Sequence, residues 1–140
     1  MTTNGSLLLV DDDDMTVVAL REHLVRRGCT VLCARDLDDA RTLVTRQRPA
    51  CVWIDLQLTG TATEKSLAFI AEVRRALPEA QIVALTAYAA DDSEEQVHRA
   101  GANRLLHKPL SQLDAVLTRA FIDLECIDRG KEPAKEMVSP

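Results

Sequence analysis

"LLLVDDDDM", residues 7–15, runs four apolar side chains straight into Asp11, Asp12, Asp13 and Asp14. A short continuous apolar run is what a strand buried on both faces of a parallel sheet requires. Four carboxylates at its end repel one another and need solvent, a helix N-terminus or a cation to compensate them. The same pattern of apolar run, polar end and helical stretch recurs down the chain. "CVWIDL" (51–56) ends near Asp55, "QIVALT" (81–86) ends at Thr86, and "RLLH" (104–107) is followed by Lys108. "TVLCA" (30–34) supplies a further strand.

Between the strands, apolar residues fall at helical spacing. Val17, Leu20 and Leu24, with Val25 beside them, mark a first helix stopped by Gly28. Leu37, Ala40, Leu43 and Val44 mark a second over 36–47, ended before Pro49. Leu67, Phe69, Ile70 and Val73 mark a third, closed by Pro78. A short polar helix over 92–100 stops at Gly101, and Leu113, Val116, Leu117, Ala120 and Leu124 mark the last. Five β-then-α units imply an α/β fold, a flavodoxin-like doubly wound five-stranded parallel sheet of order 2-1-3-4-5 with five helices. Residues 1–127 make one domain, and the polar stretch 128–140, with two prolines, reads as a disordered tail.

Composition bounds the function. The chain has 140 residues, 46% of them apolar, enough for one domain with a real core. Its 17 basic against 22 acidic residues give a net charge of −5, without the basic face that direct nucleic-acid binding needs. No run approaches the ~20 apolar residues of a membrane span, and "MTTNGS" has no signal-peptide regions, so a cytoplasmic setting is expected. Cys29, Cys33, Cys51 and Cys126 include no CxxC pair and read as buried, reduced thiols.

In the expected topology the carboxyl ends of the first and third strands meet at the switch point of the sheet, where ligands bind. Asp11, Asp12 and Asp55 converge there, an oxygen set suited to Mg²⁺. Asp13 and Asp14 begin the helix, where carboxylates cap free N–H groups. Thr86 and Lys108 end strands on the same edge, so a hydroxyl and an ammonium join the carboxylates around a place for a tetrahedral anion. Asp55 is placed to attack phosphorus, with Lys108 and Thr86 on the oxygens. His23, His98 and His107 lack ligand spacing, and Trp53 reads as core.

These residues together resemble a response-regulator receiver domain over about residues 5 to 125. "LLLVDDD" is similar to the family's acidic motif, "VWIDLQL" to its phosphoacceptor strand, "VALTA" to its hydroxyl-bearing strand and "LHKP" to its lysine–proline motif. The resemblance implies that Asp55 is the phosphorylated aspartate and that Asp12 ligates Mg²⁺ directly. It also implies that Asp11 acts through water or general electrostatics, that the backbone carbonyl of Gln57 completes the protein's metal ligands, and that the Lys108–Pro109 bond is cis. A histidine kinase or phosphotransfer protein is the implied partner, with output by protein–protein contact through the fourth helix, fifth strand and last helix. The domain would assist its own phosphorylation and dephosphorylation rather than act as an enzyme on other substrates.

Departures from the family pattern are local. Thr59 stands where the family usually has proline, and the run "LTGTATEKS" is longer than the family's glycine-bearing turn. Leu105 replaces the aromatic switch residue and is expected to pack inward. Tyr88, two residues past Thr86, occupies a position that tunes dephosphorylation in the family, or is a half-exposed loop aromatic. Leu105 and the altered loop keep open a phosphorylation-independent pseudo-receiver that binds proteins. A phosphoaspartate phosphatase is disfavoured, because Gln57 stands where such enzymes place a second aspartate as general acid.

Overall fold

The structure is a computed structural model, and it describes residues 6–26, 28–87 and 93–108. Along the chain the elements are β1 (Leu7–Val10), α1 (Asp14–Arg26), β2 (Val31–Ala34), α2 (Leu37–Gln47), β3 (Cys51–Asp55), α3 (Thr63–Ala76), β4 (Gln81–Thr86), α4 (Ser93–Ala100) and β5 (Arg104–His107). All five strands pair in parallel in the order β2-β1-β3-β4-β5. The fold class and strand order agree with the alternating pattern. The expected fifth helix, the tail, Cys126, Tyr88 and the Lys108–Pro109 bond lie outside the described residues.

Strand side chains alternate between the two faces, which gives two cores. Leu8, Val10, Val52, Ile54, Ile82 and Ala84 face α2, α3 and α4, where Val44, Phe69, Ile70, Val73 and Val97 close over them. Leu7, Leu9, Trp53, Val83 and Leu85 face the other way, against Leu20 and Leu24 of α1. The central strands β1 and β3 are buried at every residue, so up to Asp55 at the end of β3 their sequences are continuous apolar runs rather than alternating ones. Trp53 is core, as expected. Leu105 also packs inward, half-buried against the α3 face opposite Ala84.

Two expectations need correction. Val25 is 51% exposed, because it sits one residue round the helix from Leu24 and so points away from the sheet. Cys33 is exposed while Cys29 and Cys51 are buried, since β2 is an edge strand without a helix over every residue.

Local signals set the helix ends. Asp36 caps α2, its carboxylate accepting from the Asp39 N–H at 2.8 Å. Gly28 and Gly101 adopt positive φ (89° and 122°) just after α1 and α4. At Gly101 a Cβ would meet the Arg74 Cβ at 2.9 Å, so only glycine lets these elements approach. The Arg74 guanidinium, in the last turn of α3, then gathers carbonyls from two connections, α3–β4 and α4–β5. It donates to Gly101 O (2.9 and 3.0 Å), Pro78 O (2.9 Å) and Ala80 O (2.8 Å), and to Asn103 Oδ1 (2.8 Å). Asn103 Oδ1 in turn accepts from Ile82 N–H at 2.8 Å. This clamp ties the starts of β4 and β5 to α3, on the edge opposite the strand carboxyl ends.

Candidate phosphoacceptor and metal site

The chain reverses its winding direction between β1 and β3, so their carboxyl ends open a crevice rather than being crossed by a helix. Asp11 and Asp12 leave β1 into that crevice and Asp55 ends β3 beside them. A carboxylate oxygen from each lies within 4.8 Å of the other two. The pocket that Asp12 and Asp55 line, about 460 Å³, also takes in Asp13, Thr16, Gln57, Ala87 and Lys108. Asp11, Asp12, Asp55, Gln57, Thr86 and Lys108, separated by up to 97 positions in the chain (108 − 11), therefore share one site.

Each carboxylate is held differently. Asp11 is fully buried, with Oδ1 accepting from the Asp13 N–H at 2.9 Å and Oδ2 facing Lys108 Nζ at 2.9 Å. Burial pushes its pKa up to about 6, and the Asp55 charge adds to this, against the opposing Asp13 N–H and Lys108. Asp12 is half-buried, and its Oδ2 accepts from the Thr59 N–H at 3.0 Å. Its partial burial pushes the pKa up, but the Thr59 hydrogen bonds and Arg35 outweigh that and leave it below the usual carboxylate range. Asp55 Oδ1 accepts from the Gln57 N–H at 2.9 Å, and its Oδ2 meets Lys108 Nζ at 3.2 Å.

Lys108 is thus the counter-ion of the crevice. Its side chain is only 13% exposed, and a buried ammonium persists only when paired. Burial disfavours its charge, but Asp11 and Asp55 more than compensate, and its pKa stays above the ordinary lysine value. The β4–β5 pairing aims it: its N–H donates to Thr86 O at 2.7 Å, continuing the ladder past His107.

The aspartate run divides its work differently from the even capping expected of Asp13 and Asp14. Asp13 is the cap of α1, accepting from Met15 N–H (3.2 Å) and the Thr16 hydroxyl (2.7 Å), and the Thr16 contact holds its pKa down. Asp14 opens the helix and pairs with Arg35, which also reaches the Asp12 carbonyl at 3.3 Å. A cross-chain partner 21 positions away gives no local pattern from which to read it.

Gln57 holds the feature that the residue pattern did not reveal. Its side-chain Oε1 accepts from the Thr86 hydroxyl (3.1 Å) and the Ala87 N–H (2.9 Å), bridging the ends of β3 and β4. His23 and His98 turn Nδ1 toward backbone carbonyls of Ala19 and Ala102, and His107 is exposed; none joins the site.

Among known proteins, the model of the response regulator receiver domain matches residues 7–120. The photosynthetic apparatus regulatory protein RegA of Rhodobacter capsulatus is 33% identical over 120 residues, which cover 86% of this chain and 62% of RegA. The polar-differentiation response regulator DivK of Brucella anthropi is 27% identical over 109 residues, covering 76% of this chain and 85% of DivK. The chain spans less than two thirds of RegA and 23% of the alginate biosynthesis transcriptional regulatory protein AlgB of Pseudomonas putida. A response regulator from Thermotoga maritima superposes with a TM-score of 0.76 at 27% identity, covering 89% of this chain and 99% of that one. A Burkholderia pseudomallei response regulator, solved with a phosphorylated aspartic acid, a calcium ion and citrate, superposes at 0.71 with 28% identity, over 80% of this chain and 64% of that one. The acidic cluster lies where receiver domains bind Mg²⁺. With its sheet order, its carboxylate crevice and its buried lysine, the chain belongs to the response-regulator receiver domains of two-component signalling.

Proposed function

We propose that Asp55 accepts a phosphoryl group from a histidine kinase or phosphotransfer protein in a Mg²⁺-dependent reaction. The observation that carries this reading is Lys108 Nζ bridging Asp55 and the fully buried Asp11, with Asp12 completing the carboxylate cluster. Three carboxylates against one ammonium leave a local excess of negative charge, which fits a divalent cation. Asp11, Asp12, Asp55 and the Gln57 backbone carbonyl would hold it, and it would supply positive charge to the phosphoryl oxygens.

In the transfer, a carboxylate oxygen of Asp55 bonds to phosphorus as the bond from phosphorus to the donor's imidazole nitrogen breaks. The imidazole leaves with the electron pair, and an acyl phosphate remains. Lys108 balances oxygen charge, and the Thr86 hydroxyl and Ala87 N–H are donors at the mouth of the site. Water attack on the acyl phosphate would return Asp55 and release phosphate, the only hydrolysis assigned to the domain. Residues 1–127 would form this unit with a polar tail over 128–140, working in the cytoplasm without contacting nucleic acid directly. The surface of α4, β5 and the last helix would carry the output to a protein target.

Intact-mass measurement tests the reading. With acetyl phosphate and Mg²⁺ the protein should gain one phosphoryl group, and Asp55→Asn should gain none. An unmodified wild type at saturating donor would hand the fold to a phosphorylation-independent binding module.

A further inference from the structure

We propose that the Gln57 side chain is a built-in occupant of the phosphoryl cradle, holding the donors of Thr86 and Ala87 until a phosphoryl group displaces it. The inference rests on the phosphoacceptor reading above. Its basis is a convergence: one amide oxygen lies 3.1 Å from Thr86 Oγ1 and 2.9 Å from Ala87 N, at the carboxyl end of the strand next to Asp55. Two donors from β4 meeting on a single acceptor describe a position for an oxygen atom, and the acceptor there belongs to the protein itself.

The main chain of the same residue is tied to the nucleophile, because Gln57 N–H donates to Asp55 Oδ1 at 2.9 Å. Gln57 therefore spans the site, its backbone on β3's carboxylate and its side chain on β4's donors. A hydroxyl and a backbone amide each carry one proton, so neither gives a full-strength bond to two acceptors at once. A phosphoryl oxygen arriving on Asp55 must take these protons from Gln57. Being charged, it makes the stronger bonds, so the exchange is favourable, but the bonds lost to Gln57 subtract from the affinity. Gln57 is half-buried and lines the mouth of the pocket, so its side chain has solvent to move into.

A purely structural role for Gln57, fastening β3 to β4, makes the opposite forecast: its loss would loosen the cradle and weaken anion binding. Beryllofluoride, which mimics a phosphoryl group on a carboxylate, separates the two when titrated at saturating Mg²⁺ and followed by ¹⁹F NMR. Gln57→Met keeps the length and bulk of the side chain but removes the acceptor. Gln57→Asn keeps the amide but draws it back by one methylene. Both variants should bind beryllofluoride about fivefold or more tightly than wild type, the gain expected from releasing two hydrogen bonds of modest net strength. Before any ligand is added, the Ala87 amide proton should move upfield in both, which loss of that hydrogen bond produces and a distant structural effect does not. Equal or weaker binding by the variants overturns the inference while leaving Asp55 as the acceptor. Failure of wild type and variants alike to bind overturns the phosphoacceptor reading, and the inference with it.

Discussion

Replacing Arg74 by alanine should cost the protein roughly a third of its stability without touching the carboxylate crevice. The guanidinium supplies the donors for Gly101 O, Pro78 O, Ala80 O and Asn103 Oδ1, and Ala80 is 2% exposed. Removing the donors leaves about two partly buried carbonyls unsatisfied, at ~1–3 kcal/mol each, and loses the packing of the stem against Gly101. Partial burial lowers the Arg74 pKa, so the cost of desolvating the cation offsets some of this. The net expectation is about 3–5 kcal/mol, out of the ~5–15 kcal/mol typical of a domain. At ~2–4 °C per kcal/mol for a chain of this size, the melting temperature should fall by about 6–20 °C. Arg74→Lys, with one point charge in place of a planar fork, should recover less than half. Urea and thermal unfolding followed by circular dichroism measure both variants, and Mg²⁺ titration of the folded protein checks the distant edge. A loss under ~1 kcal/mol for Arg74→Ala would refute the clamp, and a parallel loss of Mg²⁺ affinity would refute its separation from the site.

Two more predictions concern the crevice. Asp13→Ala should destabilise the fold by about 0.5–2 kcal/mol through loss of the α1 cap, with little change in Mg²⁺ affinity. Asp12→Ala should weaken Mg²⁺ binding at least tenfold, an order typical for a lost hard-cation ligand, and equal affinities in calorimetry would dissolve that division. Because burial holds the Asp11 pKa at about 6, the metal-free protein carries a proton below that pH which a cation must displace. Mg²⁺ affinity should therefore be nearly flat above pH 7 and about tenfold weaker at pH 5, and a flat profile down to pH 5 would contradict it.

How much of this was legible beforehand depended on whether the signal was local. Strands such as "LLLV" and "CVWI" announce themselves because both faces are covered and every position is apolar. Asp11, Asp12, Asp55, Thr86 and Lys108 were readable because each ends a strand, and the topology brings strand ends together. Cys33 misled because an edge strand keeps a strand's composition while losing cover on part of its surface. Arg74 and the Gln57 side chain carry no pattern at all. A long polar side chain reveals its partners only once residues 27 to 30 positions away are folded against it.

The position of the single tryptophan has a practical consequence. Trp53 is 1% exposed, paired in register with Leu9 and Val83 on the α1 face of the sheet. Asp55 lies two residues further along the same strand, on the same side and about 7 Å away by strand rise. The chain thus contains one tryptophan reporter, shielded from water and aligned with the proposed phosphoacceptor carboxylate. Its emission will register rearrangements between β1, β3 and α1 while remaining blind to the opposite face, where Phe69 and Leu105 pack. Tryptophan fluorescence and a label on the α4 side would therefore time the two halves of any response independently, without altering the site that triggers it.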